Sequence, residues 1–390
     1  MTTTLRKTPL NQAHRAMGAK MIEFGGWDMP VEYPRTGGLI AEHKAVRGGV
    51  GIFDVSHMGD VRVRGGSPGA ALAAVQHITM NDVARLAIGQ AQYSAMLYPE
   101  GTFVDDLIVH RLGGDDFLLV INAGTREKDV AWIRENTKSF DCQVIDLSDG
   151  YTQLAIQGPR AAEVLTKLGC SDTAGLRSYH FTYDRIGDLR DVLIARTGYT
   201  GEDGFEIYLP SDIATSEDIW RRALEAGGEF GILPCGLGAR NTLRLEARLP
   251  LYDHEISQDI NVWEAGLGRF CGMQKGDFVG RSRLERLKAS VTRRLAGMEM
   301  IDRGIARDGY PCKNEAGEVI GKVTSGSPSP TLGKNIALAY LPSEFTAPGT
   351  VVYVEIRGQK LKAQVVPTPF YRRPRKEKSP GGEGSSSGKR

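Results

Sequence analysis

The stretch Phe103-Val-Asp-Asp-Leu-Ile-Val109 sets two carboxylates side by side in an otherwise apolar strand. Side chains alternate along a strand. Asp105 therefore shares a face with Phe103, Leu107 and Val109, and Asp106 with Val104, Ile108 and His110. Pointing to opposite faces, the two cannot form a dyad that shares one proton. A carboxylate in an apolar column needs dedicated donors or a ligand, or its pKa rises. At least one Asp must have such a partner. The competing reading, a carboxylate capping the hairpin turn, fits Asp105 better than Asp106.

Two further segments have chemical content. Arg196-Thr-Gly-Tyr-Thr-Gly-Glu-Asp-Gly-Phe-Glu-Ile-Tyr208 runs from a glycine-rich loop into a strand. It has neither phosphate-binding glycine pattern. On that strand Glu206 and Tyr208 face one way, Phe205 and Ile207 the other. A fixed carboxylate suits a ligand with adjacent N–H donors, and a plain hairpin with an exposed Glu fits the spacing as well. The helix Gly236-Leu-Gly-Ala-Arg-Asn-Thr-Leu-Arg-Leu-Glu246 places Arg240 and Arg244 four apart on one face. Like charges there ask for an anionic ligand or for structural salt bridges, and composition does not choose. No nucleophile signature emerges from the motifs. His57, in Asp54-Val-Ser-His-Met-Gly59, is the one His in a dense motif, and a structural role suits it equally.

These residues must be held by a mixed fold. Residues 8–20 and 38–48 read as helices, with Phe24-Gly-Gly-Trp-Asp-Met-Pro30 a loop between them. A strand at 60–64, helix at 68–77, hairpin 91–97/103–112, strand 116–122, helix 125–138 and strand 142–146 follow. That succession predicts a split β-α-β unit with an antiparallel sheet. The mixture repeats over 151–247: strands at 152–156, 180–185, 189–196 and 205–209, and helices at 159–168, from 212, and at 237–247. Strands at 293–300, 319–324, 336–340, 351–356 and 361–366, with no helix between them, predict a small all-β domain. The polar end from residue 373 reads as a disordered basic tail.

Composition narrows the classes. The chain has 390 residues, 41% hydrophobic and 25% charged, with no apolar run near the ~18 residues of a membrane span. Its net charge of +2 comes from the tail, where residues 372–390 hold seven Lys/Arg against two Glu, and gives no case for a basic body that grips nucleic acid. Five scattered cysteines fit a reducing cytoplasm rather than a disulfide or zinc framework. No H-x-H or H-x-x-x-H pair offers a metal site.

Taken together, the motifs resemble the T-protein family of the glycine cleavage system, the tetrahydrofolate-dependent aminomethyltransferases. The resemblance rests on Lys7-Thr-Pro-Leu10, Phe24-Gly-Gly-Trp-Asp-Met-Pro-Val31, Gly51-Ile-Phe-Asp-Val-Ser-His-Met58, Val104-Asp-Asp-Leu-Ile-Val109, Leu154-Ala-Ile-Gln-Gly-Pro159, Thr197-Gly-Tyr-Thr-Gly-Glu-Asp-Gly-Phe-Glu206, Gly238-Ala-Arg-Asn-Thr-Leu-Arg-Leu-Glu246 and Thr324-Ser-Gly-Ser-Pro-Ser-Pro-Thr331, in family order. It implies an α+β fold: a three-domain cloverleaf around folate, with a ferredoxin-like split β-α-β part and a C-terminal small β-barrel. The expected bounds are 5–285 for the folate-binding region, its second sub-domain about 55–150, then 290–371 for the barrel and 373–390 for the tail.

By the same resemblance, the methylene of an aminomethyl group on the lipoyl arm of H-protein passes to tetrahydrofolate, and ammonia leaves. Asp106 is the implied catalytic residue. Glu206 and Arg240 fall on folate-contacting positions, and Tyr199, Asn122, Met58 and Tyr93 on further pocket positions. No metal, flavin, nucleic acid or membrane is implied. The match from Leu5 leaves no room for a transit peptide and implies a cytoplasmic, bacterial-type protein. Folate contacts by paired terminal tyrosines are not carried over, because this end reads Pro369-Phe-Tyr-Arg-Arg-Pro-Arg375. The alternative on the same scaffold is a tetrahydrofolate-dependent demethylase that needs no H-protein. A folate-binding accessory protein is the non-enzyme alternative. A flavin-linked dehydrogenase is disfavoured, since no G-x-G-x-x-G domain precedes the motifs.

Overall fold

The computed structural model describes residues 4–171, 173 and 175–374. Three larger sheets organise the chain. The first has strand order Ala91–Leu97, Phe103–Gly113, Asp116–Ile121, Gly59–Gly65, Cys142–Asp146, all antiparallel. Its last four strands follow the split β-α-β order, and Ala91–Leu97 is an added edge strand. Helices Ala70–Ile78 and Arg126–Thr137 bury Ala71, Ala74, Val75, Ile78, Val130 and Ile133 against one face. Those positions recur at three- and four-residue spacing, the stripe an amphipathic helix needs.

The second sheet runs Phe181–Ile186, Leu189–Ala195, Gly204–Pro210, Tyr151–Gln157, Gly51–Asp54, Leu233–Pro234. Phe205 and Ile207 are buried with helices Ala161–Lys167 and Ile213–Gly227 on one side. On the other side Tyr208, Leu193, Ala195 and Phe181 meet Leu118, Val120 and Ile108 of the first sheet. The two sheets therefore pack face to face, and their shared seam leads to the ends where Asp106 and Glu206 lie. The third sheet is a closed six-stranded barrel, Arg293–Met300, Lys334–Pro342, Val319–Ser329, Pro311–Lys313, Val351–Ile356, Gln359–Val366. It encloses its own apolar core. The architecture is the three-part α+β fold with a C-terminal barrel that the sequence implies.

Several local expectations change. The first helix spans only Asn11–Ala16, and the expected loop is a hairpin, Lys20–Phe24 with Trp27–Glu32. Its two-residue turn is Gly25-Gly26 at φ 55° and 84°, a conformation that excludes most side chains. Strand Gly51–Asp54, strand Pro311–Lys313 and helix Arg281–Leu287 were not anticipated. Strict alternation also fails at one point. Met96 pairs with Asp105 but Leu97 with Phe103, so Val104 is the extra residue of a bulge. Val104 consequently packs with Leu107 and Val109, and Phe103 turns to the core shared with the barrel. Of the expected tail, Arg373 reaches Asp203 at 3.5 Å, and residues 375–390 lie outside the described residues.

Candidate active site

Three neighbouring strands of the first sheet build the acidic end of the site. Asp106 pairs with Ala95, so Tyr93, two residues earlier on the edge strand, is its diagonal neighbour on the same face. The Tyr93 hydroxyl donates to Asp106 Oδ2 at 2.9 Å. Asn122 lies one step past the Leu107–Ile121 pair, and its Nδ2 donates to Asp106 Oδ1 at 2.8 Å. No Lys, Arg or His makes an ion pair with Asp106 among the described residues. Burial, and then the adjacent Asp105 charge, push Asp106 up to about 7, with Tyr93 and Asn122 pulling the other way.

Asp105 is fully buried and caps no hairpin turn. It accepts from the Asp106 backbone N–H at 2.8 Å, from Asn122 Nδ2 at 2.8 Å and from the Thr125 hydroxyl. Both carboxylates thus have the dedicated donors their apolar columns require. Asn122 joins them: its two amide protons are held by one oxygen of each, which fixes the orientation of the amide.

The opposite wall comes from the second sheet and the helix Leu237–Glu246. Glu206 takes the Thr197 hydroxyl on Oε2. Its carboxyl lies above the usual range through burial, offset by Thr197 and Arg240. The two arginines of the helix divide cleanly. Arg244 is saturated, with Glu255 at 2.6 Å, Ser325 at 2.9 Å and Asn241 at 2.9 Å. Arg240 has no side-chain hydrogen bond or ion pair among the described residues; its guanidinium lies over the Tyr199 ring, 4.6 Å from the centroid. It feels the fields of Tyr199, Glu206, Arg244 and Asp106, so these groups lie near one another. The Tyr199 hydroxyl donates to the Pro250 carbonyl, which fixes the ring.

Of the seven residues expected from the sequence, six therefore converge: Asp106, Tyr93 and Asn122 on one wall, and Glu206, Arg240 and Tyr199 on the other. Met58 is different. It packs, half-buried, against both the core under the Arg240 helix and the inter-sheet core. His57 is buried with Nδ1 unpartnered among the described residues, edge-on to Phe24 at a ring distance of 5.7 Å. Burial, then the charge of Arg240, lowers it to about 4, so it stays neutral at ordinary pH.

Sequence reasoning missed three supports. Phe270 packs edge-on against Tyr93 with ring centroids 4.9 Å apart. Thr197 holds Glu206. Asp129 lies fully buried behind Asp105. Asp129 did carry a signal: with Arg126, Val130, Ile133 and Thr137 it sits on the buried stripe of its helix, where an acid is out of place. Among the described residues no cluster of three His, Cys, Asp or Glu is set to hold a metal ion, and no helix is long and apolar enough to cross a membrane.

Comparison with known proteins decides the family. The profile of the GCVT N-terminal domain matches residues 10–275, and that of the glycine cleavage T-protein C-terminal barrel domain matches 293–372. The chain belongs to the glycine cleavage T-protein family of aminomethyltransferases. It is 63% identical over 375 residues to an aminomethyltransferase of Acidobacterium capsulatum, covering 96% of this chain and 98% of that one. It is 47% identical over 371 residues to the aminomethyltransferase of Bacillus subtilis, covering 95% and 100%. The crystal structure of the glycine cleavage system aminomethyltransferase T from Bartonella henselae superposes with a TM-score of 0.86 at 36% identity, over 94% of this chain and 98% of that one. The protein is thus an aminomethyltransferase of the glycine cleavage type, and the two walls are where its chemistry is to be sought.

Proposed function

We propose that the space between the two walls takes tetrahydrofolate, and that the one-carbon unit arrives as an aminomethyl group on the lipoyl arm of H-protein. The observation that carries this reading is Arg240. A half-buried guanidinium without a carboxylate partner, four residues from one that is fully paired, is an electrostatic cost unless a ligand meets it. Facing it, Glu206 has one oxygen not engaged by Thr197. A ring edge with adjacent N–H donors fits Glu206, and a carbonyl or carboxylate oxygen fits Arg240. The residues present therefore suit a folate, whose amine nitrogen is the acceptor of the one-carbon unit when bound.

The chain's own contribution is positioning and one proton. Tyr93 and Asn122 hold both oxygens of Asp106, so the carboxyl points in one direction. With its pKa near 7, Asp106 gains or loses a proton at either oxygen within the neutral range. That suits a transfer in which the departing amine must leave protonated. Tyr199 lies under Arg240 and Phe270 packs edge-on against Tyr93, so an aromatic ring supports each wall.

The test is ammonia release from aminomethyl-loaded H-protein, with and without tetrahydrofolate. The expected result is a large folate-dependent acceleration with methylenetetrahydrofolate as product. Folate-dependent removal of a methyl group from a small substrate, with no response to H-protein, would move the assignment to a demethylase. A cytoplasmic location is proposed alongside, since all five cysteines are free; cell fractionation checks it.

A further inference from the structure

Behind Asp106 lies a second acidic centre that the reaction, as described, does not use. Asp129 is fully buried, and neither of its carboxyl oxygens meets an N–H or O–H donor among the described residues. Lys128 Nζ stands 3.6 Å from Oδ1, beyond hydrogen-bond reach, and donates instead to the Val104 carbonyl and to the Tyr252 hydroxyl at 3.0 Å. The Thr125 hydroxyl lies nearby, but its single proton goes to Asp105 Oδ2. Asp129 lies against the carboxyl of Asp105 and beside the Thr125 hydroxyl that donates to that carboxyl.

Two carboxyls in contact need one proton between them. Asp105 already accepts from three donors, the Asp106 amide, Asn122 and Thr125. Asp129 has none, so the proton belongs to Asp129. We propose that Asp129 is a proton-holding positioning residue: its neutral carboxyl donates to Asp105, and the pair carries one negative charge that anchors Asn122 and, through Asn122, Asp106. Burial, and then Asp105, push Asp129 up to about 10, with Lys128 and Thr125 pulling the other way. The chain of contacts runs from the Asp129 carboxyl to Asp105, from Asp105 to the Asn122 amide, and from that amide to Asp106. The other titratable groups facing these carboxyls are Tyr93 from the edge strand, Lys128 on the helix, Tyr252 beside it, and Tyr199 and Arg240 across the space. None of them supplies Asp129 with a donor.

The inference rests on the Asp106 reading above for its functional meaning, and its test separates the two. The first measurement is an infrared spectrum of the full chain at about pH 9, alkaline of Asp106. A neutral-carboxyl C=O stretch that Asp129→Asn removes, and that Lys128→Met leaves in place, is the expected result. The amide reproduces the shape and the donor of a protonated carboxyl, so an Asp129→Asn chain that failed to fold would count against the proposal.

The second measurement is the pH profile of turnover. Asp129→Leu is expected to lower turnover about tenfold by leaving Asp105 short of a donor, and Asp129→Asn to rescue it with the acid limb unmoved. Asp105→Asn removes the charge beside Asp106 and is expected to move that limb acidward by about one unit. If Asp129→Asn moved the limb as Asp105→Asn does, or left the infrared band intact, Asp129 would be ionised and the proposal overturned. If Asp106→Asn kept full turnover, the Asp106 reading would fail while the infrared result still decided the pair.

Discussion

Asp106 and Glu246 are both carboxylates withdrawn from bulk water, and they are driven in opposite directions. Glu246 closes the helix that carries Arg240. It accepts from Ser329 at 2.5 Å, the Thr331 hydroxyl at 2.7 Å and Arg47 at 2.8 Å, with His43 at 3.4 Å, and its side chain has no exposure. Burial alone would raise it; His43 and the other donors outweigh burial and hold it at about 2. Asp106 has two neutral donors, no cation in contact and a charged neighbour, and lies at about 7. Burial is common to both, so donor count and the sign of the nearest charge decide. A carboxylate that is fully answered is structural and permanently charged, whereas one left partly answered is ready to exchange a proton.

The largest expected effect breaks the comparison at its reactive end. Asp106→Asn keeps the shape and removes the titrating group, and is expected to lower turnover about 10²–10⁴-fold while folate affinity, read by calorimetry, changes little. The same variant is expected to be more stable than the wild type at alkaline pH. A carboxyl whose pKa is raised in the fold holds its proton longer there than in the unfolded chain. Its stabilising contribution is full below 3.8 and is lost as pH rises through about 7. Above that range the wild type keeps a charge in an unfavourable place, and its removal is worth on the order of 1–3 kcal/mol in denaturant titrations.

Glu246→Gln attacks the other end. Breaking a buried, donor-rich ion pair leaves Arg47 and His43 without their anion, and a loss of about 3–5 kcal/mol is expected. Here the sign is opposite to that of Asp106. The folded pKa is depressed, so the wild-type contribution is full above 4.5 and is lost as pH falls through about 2. Acid unfolding curves of wild type and variant should therefore converge at low pH. The two arginines give the same contrast within one helix: Arg244→Gln is expected to destabilise the fold by a similar amount. Arg240→Gln should leave stability within about 0.5 kcal/mol and raise the KM for folate tenfold or more.

How much of this was legible beforehand follows from which forces are local. Strand and helix patterns of the split β-α-β unit and the barrel are local, and they located nearly all the elements of those two parts; the hairpin Lys20–Phe24/Trp27–Glu32 and helix Arg281–Leu287 outside them were missed. The Asp105–Asp106 pair announced its need for donors because two acids in an apolar strand are costly wherever the strand goes. Arg240 and Arg244 were indistinguishable, because the partners that separate them come from elsewhere: Glu255 from the next segment and Ser325 from the barrel. The motif Thr324-Ser-Gly-Ser-Pro-Ser-Pro-Thr331 had no chemical reading of its own. In the structure Thr324, Ser325, Ser329 and Thr331 hold Glu255, Arg244 and Glu246, so the barrel strand pins the Arg240 helix. The bulge at Val104 escaped for a related reason, since its register is set by the partner strand.

The smallest expected effect sharpens the comparison. Tyr93 supplies one of the two donors on Asp106 and so helps to lower its pKa, against burial and Asp105. Tyr93→Phe removes that hydrogen bond and keeps the ring that packs on Phe270. If donor count sets the working range, Asp106 must rise further from about 7, and the acid limb of the pH–rate profile must move alkaline. A single neutral donor is worth about 0.5–1.5 kcal/mol, hence a displacement of about half to one unit. Turnover on the alkaline plateau should change little, because the carboxylate form reached there is the same. An unmoved limb with a fallen plateau would mean that the Tyr93 hydroxyl acts on substrate directly, and that Asp106 owes its range to burial and Asp105 alone.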